Sequence, residues 1–128
     1  MMETTSLRKA MREIAKRKGN FTLFGLFMRS DAPGTWDLVV SAPWLEKGKL
    51  KGLSEFVELL SDSIGEQALS NFSRIQTISS DDPGLKAVLR AYSVDDGEVH
   101  VRNSNLFGLQ IEDALIFRAK RSAERATA

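Results

Sequence analysis

The sequence predicts one α+β domain, with about three helices packed on a mixed or antiparallel sheet in the order α-β-β-α-β-α-β-β. Three observations predict it. Apolar residues recur at helical spacing over residues 5–18. Two apolar runs, 21–29 and 35–41, flank a short turn containing Pro33 and Gly34. Asp82, Pro83 and Gly84 carry the marks of a helix start.

The first helix is expected from Thr5 to Lys18. Leu7, Met11, Ile14 and Ala15 form one apolar stripe, while Arg8, Arg12 and Lys16 line another face. Gly19 ends the helix by accepting a left-handed backbone. Residues 21–29 are almost continuously apolar, as in a strand buried on both faces, and Gly25 in the middle marks a bulge or a close approach of another backbone or a ligand. Asp31 to Gly34 make the turn, because Pro33 fixes one φ and Gly34 supplies a positive one. Residues 35–41 then return as the antiparallel partner.

Pro43 closes that strand, with Trp44 and Leu45 expected in a loop. A second helix runs to Ile64 from Leu50 or Leu53, with Phe56, Val57 and Leu60 on its stripe. Residues 71–79 are expected to be a third strand. At the third helix Asp82 accepts free backbone N–H groups, and Pro83 sits where its missing N–H costs nothing. Asp95 to Gly97 form a turn, and Glu98 to Arg102 alternate as a half-buried strand. Asn103 to Asn105 are expected to turn again before a strand at 106–111, with a bend at Glu112-Asp113. Residues 114–119 stay open between a final strand and the start of a helix, and 122–128 read as a frayed tail.

Length, 128 residues, suits a single domain with its own core. With 42% hydrophobic and 27% charged residues, the chain has the composition of a folded protein and not of a disordered one. No apolar run approaches the roughly 20 residues that span a bilayer, and the basic N-terminal helix lacks the apolar segment of a secretory signal. The reading is cytoplasmic, with no membrane. Having no cysteine and one histidine, His100, the chain has no thiolate chemistry and no second imidazole for a histidine-based apparatus. Asp81-Asp82 and Asp95-Asp96 precede Pro or Gly, where turns and caps account for them.

The net charge of +1 conceals a separation: residues 1–20 sum to +4, residues 118–128 to +3, and the stretch between them to −6. Should the basic ends meet in space, they make a positive patch for an acidic partner or a phosphate backbone. Trp36 and Trp44 flank the second strand and suit either core packing or the anchoring of a partner.

Phe24-Gly25, a polar turn, and Trp36-Asp37-Leu38-Val39-Val40 together resemble the signature of the minimal nucleotidyltransferase family. In that family a Gly-Ser pair follows a strand, and an Asp-x-Asp motif opens the next. The resemblance covers roughly residues 5–80. It implies nucleotide binding, with Gly25 near the phosphates, Arg29 beside them, and Asp37 as a carboxylate for Mg²⁺ with ATP as ligand. Leu26 stands at the serine position and Thr35 at the first aspartate, and residues 73–78 offer no third carboxylate, so the resemblance is to a degenerate member without catalysis.

The expected function is therefore binding and not catalysis, with no cofactor and no metal. The expected partner is another protein or a second copy in a homodimer, met through Arg8, Arg12, Lys16, Trp36 and Trp44. The alternatives are a nucleotide at Gly25, Arg29 and Asp37, and nucleic acid on the basic termini.

Overall fold

The structure, a computed structural model, describes residues 4–121. Helix α1, Thr4–Lys18, buries Leu7, Met11 and Ile14 of the expected stripe together with Ala10, while Ala15 of that stripe is only partly buried. Gly19 ends it at φ +125°, and its N–H reaches back to the Ala15 carbonyl at 2.9 Å. Strands β1 (Leu23–Arg29) and β2 (Trp36–Ser41) form the expected antiparallel hairpin, in a register that sets Leu23 opposite Ser41 and Phe27 opposite Asp37.

After β2 the structure departs from the expected loop. Helix α2, Pro43–Ile64, begins at once, with Pro43 in its first turn and Trp44 and Leu45 helical. Proline suits that position, where the N–H has no partner in any case. The helix breaks at Lys49, whose φ of 53° and ψ of −131° are not helical. Gly52 lets the two segments pack closely: a Cβ there would lie 3.1 Å from the Leu45 carbonyl oxygen. A single helical turn, α3 (Glu66–Leu69), precedes β3 (Phe72–Thr77), which lies parallel to β2. A parallel neighbour needs a crossover, and α2 supplies it.

Helix α4, Pro83–Ala91, starts as expected, with Asp82 accepting from the amides of Gly84 at 2.7 Å and Leu85 at 3.3 Å. Strands β4 (Val99–Leu106) and β5 (Leu109–Ala119) complete a mixed five-stranded sheet in the order β3-β2-β1-β5-β4. Here two expectations are corrected. The turn falls at Phe107 and Gly108, both left-handed (φ 58° and 73°), and not at Asn103–Asn105. Two left-handed residues match the twist of the flanking strands in a two-residue hairpin. Asn103 keeps a positive φ of 49° inside β4, an irregularity in a strand that continues to Leu106. Glu112 and Asp113 lie within β5, and 114–119 are strand. The expected tail, 122–128, lies outside the described residues.

The architecture is a single α+β domain of four helices and five strands among the described residues. Strand alternation divides the core between the two faces. Phe24, Leu26, Leu38, Val40 and Phe117 pack beneath α1 and α2, while Leu23, Phe27, Val39 and Ile116 pack beneath α4. Among the described residues no helix is long and apolar enough to cross a membrane.

Gly25 sits between β2 and β5, where the β1–β5 register shifts by a bulge. A Cβ there would lie 3.0 Å from the Leu115 carbonyl oxygen and 3.0 Å from Cε1 of Phe27. Close approach of backbone and ring therefore accounts for this glycine. Gly25→Ala is expected to cost about 1–3 kcal/mol, the usual range for overpacking a core. Urea denaturation measures it, and an unchanged midpoint would mean that the bulge opens freely.

Candidate functional site

Strands β2 and β3 are parallel neighbours, yet the helices that follow them diverge: α2 packs on one face and α4 on the other. Such a switch in direction leaves a crevice outside the carboxyl ends of the strands, the usual place for ligands in sheets of this kind. A crevice of about 1070 Å³ lies there. Four cations from four parts of the chain line it: Lys18 at the end of α1, Lys47 in α2, Lys86 in α4, and Arg121 beyond β5. The acidic residues on its wall are Glu46 and Asp81.

Glu46 is engaged in holding the crevice together. Its carboxylate accepts the Ser80 amide at 2.6 Å and the Ser80 hydroxyl at 3.1 Å, tying the loop before α4 to the first turn of α2. The Ser80 backbone N–H, more than any other group, holds its pKa below the ordinary carboxylate value. The tie is complete while Glu46 is ionised and loosens as pH falls through that lowered value.

Trp44 joins α1 to α2. Its Nε1 donates to the Gly19 carbonyl at 3.1 Å, and its ring meets Phe21 edge-on at 5.7 Å between centroids. The Lys18 ammonium stands 5.7 Å from the same ring centroid. Trp36 is half-buried and packs against the core under α1 and α2. Both tryptophans thus contribute to packing, and Trp44 also lines the crevice.

The described parts of the two basic ends lie together. Arg8 and Arg12 each stand 3.3 Å from Asp96, while Arg118 pairs with Asp95, which Lys120 approaches at 3.3 Å. The Lys120 hydrogen bond, followed by the charge of Arg118, lowers the Asp95 pKa. Two adjacent acids at the turn before β4 therefore absorb part of the charge that the sequence concentrates at its ends. Lys16 is exposed and borders a shallow depression beside this cluster. His100 is exposed on β4 and pairs with Asp113.

Arg29 and Asp37 come together, and Gly25 stands apart from them under the Phe27 ring. Asp37 is only 3% exposed. Arg29 Nε at 2.9 Å and Arg74 Nε at 3.0 Å both donate to its Oδ2. The parallel register, which sets Asp37 against Arg74, brings in the second arginine. Sequence reasoning passes over Arg74, because its nearness to Asp37 depends on a non-local strand pairing. Among the described residues no group of three or more His, Asp or Glu side chains could hold a metal ion. Thr35, at the position of the first aspartate in the resemblance, bonds through its hydroxyl to the Ala32 carbonyl at 2.8 Å and serves the turn.

No protein-family model, curated protein or solved structure matches this chain.

Proposed function

We propose that this chain is a non-catalytic binding domain whose crevice receives an acidic segment of a protein partner. One observation carries the reading: Lys18, Lys47, Lys86 and Arg121 converge from separate elements on a crevice at the carboxyl ends of β2 and β3. Like charges gathered in a concave surface focus the local potential and steer an oppositely charged partner toward it. Three of the four are lysines, flexible point charges that suit carboxylates at variable positions better than one fixed bidentate geometry. Trp44 is the one aromatic residue lining the crevice among the described residues, short of the successive rings on which the bases of a single strand stack.

Trp44 provides its own reporter. In a Trp36→Phe background it is the remaining tryptophan, and poly-L-glutamate bound in the crevice is expected to change its fluorescence saturably. Lys47→Glu/Lys86→Glu is expected to weaken that binding by more than about tenfold, corresponding to 1.4 kcal/mol, and added salt is expected to weaken it further. Equal affinity in the double variant would refute the crevice as the binding surface. Tighter binding of a single-stranded oligonucleotide than of polyglutamate would move the reading to nucleic acid.

A further inference from the structure

We propose a second binding site, at the Arg29–Asp37–Arg74 cluster, for a small organic monocarboxylate with an apolar body. Beside the cluster lies a cavity of about 210 Å³, walled on its apolar side by Phe27, Phe107, Leu109 and Ile111. That volume is below the roughly 300–1,000 Å³ of pockets for drug-sized ligands, so the occupant is smaller than a nucleotide.

The charges around the cavity select the ligand. Arg29 and Arg74 share one oxygen of Asp37, so a single buried carboxylate faces two guanidinium groups. Arg29 has a second acceptor, with Nη1 donating to Asp31 at 3.0 Å and 3.2 Å. For Arg74, among the described residues, Asp37 is the one acceptor, and Nε is the atom that serves it. The two terminal nitrogens of Arg74 remain for another partner. They form the end-on fork that matches a carboxylate with two parallel hydrogen bonds. The anchor at Nε also holds the plane of that fork, since the Asp37 side chain is 4% exposed and its place is set by the sheet.

Asp82 also lines the cavity, with Oδ1 accepting the two amides at the start of α4. Asp37, Asp82 and the Asp31 carboxylate on Arg29 set three acids around two guanidinium groups, which disfavours a doubly charged phosphate more than a singly charged carboxylate held by the Arg74 fork. The apolar wall supplies the rest. Leu109, a large hydrophobic residue with 38% of its surface exposed, stands at the tip of the β4–β5 hairpin. Phe107, beside it, packs edge-on against Phe27 at 5.4 Å between centroids. A short branched or aromatic body would cover these groups while its carboxylate reached Arg74.

The test is a backbone amide NMR titration of the whole chain with 4-methylpentanoate, 4-methylpentanamide and inorganic phosphate. Saturable shifts at Gln76, Phe107 and Leu109 are expected with the carboxylate at millimolar concentration, and none with the amide or phosphate. Arg74→Gln is expected to weaken the carboxylate at least about tenfold. Arg74→Lys, keeping the charge without the fork, should fall between the two. Leu109→Glu leaves the arginine pair in place and sets a carboxylate at the mouth; it is expected to abolish binding and carries the test if Arg74→Gln does not fold. The proposal is overturned by no saturable shift with the carboxylate, by phosphate binding equally well, or by unchanged affinity in either Arg74→Gln or Leu109→Glu.

Discussion

Replacing both arginines around Asp37, in an Arg29→Met/Arg74→Met double variant, is expected to destabilise the fold by about 3–5 kcal/mol, the usual loss when a buried charge is stripped of its partners. Asp37 is the one carboxylate buried within the sheet among the described residues, and its two hydrogen-bonded partners are these arginines. Methionine keeps much of the stem volume, so the loss reports the stranded charge more than lost packing. A triple variant that adds Asp37→Val removes the stranded group and is expected to recover most of the stability, as apolar replacement of buried ion pairs commonly does. Urea midpoints at constant slope measure both variants. If the triple variant were no more stable than the double, the loss would lie in packing and the ion cluster would have no special role.

Phe56→Ala is expected to cost a similar amount, about 3–5 kcal/mol, through the transfer energy of a buried ring and the cavity left behind. Phe56 is fully buried on the second segment of α2. Its ring lies 5.7 Å from Phe21, 6.4 Å from Phe24 and 6.3 Å from Trp44, measured between centroids. One side chain thus ties the second segment of α2 to β1, to Phe21 ahead of β1, and to the first turn of α2. Paired rings add about 0.5–1.5 kcal/mol each beyond the area they bury, which favours the upper part of the range. The effect should reach the crevice, because Trp44 loses one of the rings that position it. A shift in Trp44 emission and weaker polyglutamate binding are expected even where the variant remains folded. Normal Trp44 emission in a destabilised variant would uncouple the crevice from this core.

Much of the fold is legible in short stretches of chain, because the forces that shape those stretches are local. The stripe of Leu7, Met11 and Ile14 encodes α1 through the 3.6-residue period. Pro33 and Gly34 encode the β1–β2 turn through their own φ angles, and Asp82 and Pro83 encode the start of α4 through unpaired N–H groups. Each signal is complete within a few residues. The errors fall where two local readings compete. Asn103, Ser104 and Asn105 have turn chemistry as good as that of Phe107 and Gly108, and a phenylalanine at positive φ is a poor local choice. Packing of Phe107 against Phe27 and Gly84 favours the later turn. Trp44 and Leu45 read as loop because Pro43 ends the strand before them, but they are helical, with Leu45 buried beside Gly52.

Both candidate sites depended on tertiary structure. Asp37 pairing with Arg29 follows from a short hairpin register and is visible in the sequence, but Arg74 arrives through a parallel crossover that spans all of α2. Lys18, Lys47, Lys86 and Arg121 share no motif or spacing, and they meet because α2 and α4 leave adjacent strands toward opposite faces. By itself the sequence determined the class of fold, most of the elements, and the absence of cysteine and a second histidine. The tertiary structure alone decided which charges meet, since a charge acts through distance in space, and that distance is set by pairing and packing between residues far apart in the chain.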